Sequence, residues 1–261
     1  MKKVWLPIVA IAGNSYREAL RNKMLGTFGL FAPVLLGLSS LLGAMSVGHE
    51  ARVATDASLW LSTLFGVAIA IYASITLFHA EIERRTIYTL LTKPIARWQF
   101  VVGKYVGVSL LCLTVTLVCF GVSAAVIVSA GGEVTPTTAA AYGTLFLQLL
   151  IVTSIAILLA SFSSSLLSGL VTTGVFVAGS LNSQLEAARN SLRDSAPGAK
   201  YVIETALIVL PDFQSLNLST ESTYNVSIPF DFVLNATWYA TSYVALTLVA
   251  TVFIMSRRDF T

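Results

Sequence analysis

The chain has 261 residues, of which 56% are hydrophobic and only 11% charged. An ordinary soluble domain carries roughly a quarter charged residues, so a water-soluble globular protein is excluded and a chain solvated by lipid is indicated. The formal net charge of +3 carries no meaning until it is sorted by loop, and no nucleic-acid partner is expected.

Residues 1–23 are expected to form a cytoplasmic amino end and an amphipathic helix. Trp5, Ile8, Val9, Ala12, Tyr16, Ala19 and Leu20 recur at helical spacing, with Asn14, Arg17, Glu18 and Arg21 opposite. A helix with one apolar and one basic face suits the membrane interface. Lys2 and Lys3 before an apolar stretch imitate a signal peptide, but Pro7 and Arg17 interrupt the stretch and that reading is set aside.

A bilayer core of about 30 Å needs about 20 apolar residues in a helix. Only a helix or a closed barrel satisfies its own backbone there. Stretches free of charge predict an all-α protein with six spans, at about 25–47, 57–80, 105–130, 139–160, 166–182 and 234–256. Pro33 should kink the first. The charge-free run 134–185 is too long for one span and divides at the polar hinge Ser161–Ser165. Cys112 and Cys119, seven apart, share one helix face as small buried residues. Between the fifth and sixth spans lies an outer loop, 183–233. Its apolar piece Tyr201–Leu210, ended by Pro211, has the length of a re-entrant or interfacial segment. Residues 257–261 form a cytoplasmic tail.

Orientation follows from charge. With the amino end inside, the inner segments hold twelve basic and four acidic residues, and the outer ones four basic and nine acidic. This positive-inside asymmetry places both termini in the cytoplasm of a cell membrane, a bacterial inner membrane in the first instance. No Asp, Glu, Lys or Arg falls within the expected spans. That argues against an ion or proton relay and favours a lipid-like, amphipathic or bulky substrate. His49 and His79 form no Cys/His cluster, so no metal site is expected. Ser74 and His79 are five apart, about 140° around a helix, and make no nucleophile–base pair.

The segment 81–104 is the one long inner loop between spans. Ile87, Leu90, Leu91, Ile95 and Trp98 form an apolar stripe, decorated by Glu81, Glu83, Arg84, Arg85 and Lys93. Pro94 disfavours helix at Lys93, so the expected shape is helix, turn, then a second helix running into the third span. Gly103 and Gly107 form a small-xxx-small pair suited to close helix packing.

The run from Glu81 through Arg84, Arg85, Thr86, Lys93, Pro94, Ala96 and Arg97 to Gly103-Lys104 resembles the signature of ABC-2-type permeases. It is closest to the branch that includes the permease of nitrous oxide reductase maturation. Arg17 to Lys23 matches that family's interfacial elbow, and Leu210-Pro211-Asp212 and Arg257-Arg258-Asp259 are also typical. The resemblance implies that Glu81, Glu83, Arg84 and Arg85 belong to a coupling helix docking on an ATPase. It implies that Thr86, Pro94 and Arg97 shape the turn behind that helix, and that Arg17 and Arg21 approach the same partner. It further implies two permease chains, identical or close paralogues, over two ATPase chains, with spans two and five lining the path. Ser168, Thr172, Thr173, Phe176 and Asn182 of the fifth span are the candidate path residues.

The chain has no GxxxxGK[ST] phosphate loop. ATP and magnesium are therefore expected on a separate ATPase, with no cofactor bound directly and no enzymatic activity of the chain's own. Lipid contacts the spans, and an outer partner can meet the loop 183–233. The alternative is a secondary transporter or channel, which would carry charged spans or broken-helix repeats.

Overall fold

The computed structural model describes residues 2–22, 37–39, 41, 43, 45, 49–83, 96–191, 201, 203–205, 207 and 209–257. In chain order the helices that lie wholly among the described residues are α1 (Lys2–Arg21), α2 (Glu50–Glu83), α3 (Arg97–Ser129), α4 (Pro136–Ala160), α5 (Ser165–Ser180), α6 (Asn182–Ser191), α7 (Ser219–Thr223) and α8 (Phe230–Arg257). No strand occurs among the described residues.

Among the described residues four helices, α2, α3, α4 and α8, are long and apolar enough to cross a membrane, and α5 with α6 forms a pair bent by 66° that makes at most a fifth span. The expected count of six is not reached here. The first expected span, 25–47, lies almost wholly outside the described residues. The 34 residues of α2 would reach about 51 Å at 1.5 Å per residue, so it outruns a bilayer core of about 30 Å.

Local chemistry sets the helix ends. Gly131, at φ +77°, takes the left-handed conformation that glycine adopts without a Cβ penalty. Gly132 N–H then reaches back to Ile127 O at 2.9 Å, closing α3. Thr135 caps α4 by accepting from Thr138 N–H, and Pro136 occupies the first turn, where its missing N–H costs nothing. The polar hinge expected at Ser161–Ser165 is the α4–α5 turn, with Ser164 as the cap of α5.

α4 is the central helix. Its residues Ile151 to Ile157 are buried without interruption, and seven residues are about two turns, so neighbours cover its whole circumference. It packs on α2, α3, α5 and α8. In contrast α8 buries Ala236, Ala240, Thr247, Thr251 and Met255, a single stripe at helical spacing, and leaves Trp238, Leu246, Val249 and Phe253 exposed for lipid.

Polar side chains bridge the inner helices. Ser58 and Ser123 hydroxyls meet at 2.7 Å and Ser62 and Tyr142 at 3.0 Å, joining α2 to α3 and α4. Cys112 Sγ lies 3.7 Å from Thr153 Oγ1. Such interhelical bonds are worth about 0.6 kcal/mol each on average in membrane proteins. Cys112 and Cys119 are both buried free thiols on α3, as their spacing suggested.

Candidate functional site

The helices on either side of the segment 84–95 set its two ends. α2 continues to Glu83, so Glu81 and Glu83 sit on its last turn, and α3 starts at Arg97. Arg84, Arg85, Thr86 and Pro94 lie outside the described residues. Ala96 N–H is capped by Gln99 Oε1 at 3.0 Å. Arg97 Nη1 donates to the carbonyls of Met255 and, at 3.1 Å, Ser256. An arginine on the last carbonyls of a helix satisfies orphan acceptors and complements the helix dipole, so the loop's return end is tied to the end of α8. Lys104, expected at the loop's end, is instead buried in α3 with 1% exposure. Its Nζ donates to Leu77 O at 3.0 Å. The ends of α2, α3 and α8 thus meet around the base of the segment 84–95.

α1 packs on the same region. A Cβ on Gly103 would stand 2.8 Å from Ile11 Cβ, and one on Gly107 would stand 2.7 Å from Ser15 Cβ and 2.8 Å from Ala12 O. Tyr16 OH meets Thr114 Oγ1 at 3.0 Å. The contacts advance along both helices together, so α1 runs alongside α3. The apolar residues that share helical periodicity divide in the fold. Ile8, Ala12 and Ala19 are buried against the bundle, while Trp5, Val9 and Leu20 are exposed. Arg17 and Arg21 are exposed on α1.

The five path candidates do not share one surface. Ser168 and Thr172 are buried on the inward face of α5, and Thr172 Oγ1 bonds back to Ser168 O. Phe176 packs on Phe213, with ring centroids 5.1 Å apart. Asn182 lies beyond the end of α5: α5 stops at Ser180, and Asn182 begins α6 past the 66° bend. Thr173 alone lines a groove of about 400 Å³ between α2 and α5, walled by Ile71, Ile75, Leu166 and Leu170 with Tyr72 at its side. The Thr173 hydroxyl is spent on Gly169 O, which leaves the groove largely apolar.

Two features escaped the sequence reading. The first is how deeply residues 209–229 enter the bundle. Gln148, near the middle of α4, donates to Phe213 O at 3.2 Å. Phe213 N–H donates to Gly179 O, Tyr239 OH accepts from Asp212 N–H, and Tyr243 OH donates to Val209 O. The segment then climbs α4, with Ser222 on Thr138 and Val226 O on Thr137. The second is His79, whose Nε2 lies 3.1 Å from Ser163 O in the α4–α5 turn.

A family model for the ABC-2 family transporter protein matches residues 9–257, all but the extreme ends. The chain belongs to the ABC-2 transporter family. As an ABC-2 chain it is similar to a probable ABC transporter permease protein NosY of Pseudomonas aeruginosa, 34% identical over 134 residues, which is 49% of each chain. It is also similar to the protein of the same name from Stutzerimonas stutzeri, 34% identical over 128 residues, 48% of this chain and 45% of that one. The chain thus spans about half the length of the curated relatives it matches. An ABC-2 permease with helical spans agrees with the buried helix bundle described above.

Proposed function

We propose that this chain is the permease subunit of an ATP-driven exporter, working as a pair of permease chains over two separate ATPase subunits that carry ATP and magnesium. The observation that carries this reading is the base of the segment 84–95, where Lys104 ties α3 to α2 and Arg97 ties α3 to the end of α8. A push on that segment is delivered to three long helices at once. Coupling between distant sites needs such an element, with two arrangements that both ends can bias. Glu81, Glu83, Arg84 and Arg85 supply the docking charges, Thr86 and Pro94 the turn, and Arg17 and Arg21 a flanking contact. Arg97 has a second role in this reading, as a strut rather than only a turn residue.

The groove between α2 and α5 supports a path along those two helices, and its apolar walls suit a lipid-like or amphipathic cargo. Both termini and the segment 84–95 face the cytoplasm of the cell membrane in this arrangement. The experiment is copurification of the chain with its ATPase in lipid discs, comparing wild type with Glu83→Ala and Arg84→Ala. Loss of assembly or of ATP hydrolysis in the variants supports the reading. Failure of any ATPase to bind the wild type overturns it and favours a transporter or channel that does not use ATP.

A further inference from the structure

We propose that His79 is a positioning residue that latches the end of the α2–α5 groove nearest the segment 84–95. The groove is lined by α2 from Ala68 to Thr76 and by α5 from Ser165 to Thr173. At this end α2 is running out toward Glu83 while α5 is just beginning. Whatever holds the α4–α5 turn against α2 therefore sets how far the two walls can part. His79 lies three residues past Thr76, about one turn. Its Nε2 reaches Ser163 O, immediately before the Ser164 cap of α5. Farther along, α5 is little buried: of its 16 residues only Ser168, Thr172 and Gly179 are buried, its far end is held by Phe213, and the buried Ser168 hydroxyl oxygen has no hydrogen-bond partner among the described residues.

The ring's other nitrogen gives the latch its second property. Nδ1 lies 3.2 Å from Ile75 O. Both partners of the imidazole are carbonyl oxygens, which only accept. A neutral imidazole has one N–H and a protonated one has two. In the neutral ring, therefore, the bond across to Ser163 competes with the bond back to Ile75 within α2. Protonation satisfies both and removes the competition, so the latch is tighter with the proton on. The charged and titratable groups on the surrounding elements are few. On α3, Lys104 donates to Leu77 O, two residues before His79, and Tyr105 follows it. On α2, Tyr72 stands beside the groove about two turns before His79, and Glu81 and Glu83 follow it. The turn 161–164, all of α5 and all of α4 apart from the distant Tyr142 carry none.

The transporter reading is needed only to say what the groove is used for; the latch is measured in the chain alone. Spin labels at Thr76→Cys and Ser165→Cys report the width of this end in the full chain in lipid discs, the native thiols being buried. The comparison is wild-type His79 against His79→Ala and His79→Gln at both ends of the range of about pH 5 to 8, across which imidazole side chains change charge. Glutamine places an amide N–H near the position of Nε2. The expected result is a short distance in the parent that tightens toward acid, a longer and broader one in His79→Ala with no pH response, and a short pH-independent one in His79→Gln. The proposal is overturned if His79→Ala matches the parent, if His79→Gln matches His79→Ala, or if the parent distance ignores pH. Should His79→Ala not fold, the parent's pH response and His79→Gln still decide. If no ATPase binds while this pattern holds, the transporter reading fails and the latch stands.

Discussion

Gly107 has room for a hydrogen and for nothing larger. A methyl group there would press on the Ala12 carbonyl and on Ser15 Cβ, both parts of α1 that cannot swing aside. Gly107→Val should therefore force α1 off α3, at the cost of about 1–3 kcal/mol expected for overpacking. Faster hydrogen exchange of α1 amides and a lower melting temperature in detergent would report it. Unchanged protection of α1 would show that the two helices do not depend on this contact. The pair Gly103 and Gly107 was legible in the sequence, because two small residues four apart on an apolar helix have few other uses. Lys104, next to Gly103, was not. A charge at the end of an apolar run reads as the membrane boundary, yet the Lys104 amine is buried and satisfied by a carbonyl of α2. Lys104→Glu would leave a buried carboxylate facing the Leu77 carbonyl. A loss of about 3–5 kcal/mol is expected, as for a buried charge left uncompensated, with collapse of the monodisperse peak in size-exclusion chromatography. Lys104→Met keeps the stem without the charge and should retain the fold.

At the scale of elements, the segment 209–229 is where local sequence and long-range structure part company. The apolar piece leading into it, Tyr201–Leu210, was recognisable by its ten-residue length and by Pro211. The docking of 209–229 was not, because its partners are far away in the chain: Gln148 on α4, Gly179 on α5, Tyr239 and Tyr243 on α8. The same limit split the path candidates. Thr172 and Thr173 are adjacent, so about 100° of helix separates them, and only packing decides which one turns inward. Phe213 is buried within the docked segment, against Phe176. Phe213→Ala removes that anchor, and burial of this kind is worth about 3–5 kcal/mol. The segment 209–229 should then lose protection in hydrogen exchange while α2, α3 and α4 keep theirs. Gln148→Leu should act in the same direction and more weakly, since it strands the Phe213 carbonyl at a cost of about 1–3 kcal/mol. If α4 loses protection together with the segment, then the segment is part of the core and not an element docked on it.

For the whole molecule, the distribution of charge and the arrangement of helices make a joint statement that a single measurement can test. Basic residues dominate the ends of the chain and the segment 81–104, and acidic residues dominate the loops at the other end of the helices. In the fold, the start of α3 and the end of α8 meet through Arg97, while α6 and α7 lie at the opposite end, α7 against the first turns of α4. One end of the bundle thus carries the base of the segment 84–95, and the other carries the docked segment 209–229 among acidic loops. The positive-inside bias acts through short loops flanking spans, so it should decide the orientation here. Ala96→Cys marks the first of these ends and Gln184→Cys the other, both at exposed positions; the native Cys112 and Cys119 are buried and silent. A membrane-impermeant thiol reagent added to intact cells should modify Gln184→Cys and leave Ala96→Cys untouched until the membrane is opened. The reverse pattern would put the segment 84–95 outside the cell, where no ATP-hydrolysing partner could reach it. Labelling of both positions in intact cells would mean that the bundle does not separate its two ends. In either case the coupling role of Glu83 and Arg84 would fall with the orientation, and the bonds made by Arg97 and Lys104 would keep only their part in holding the helices together.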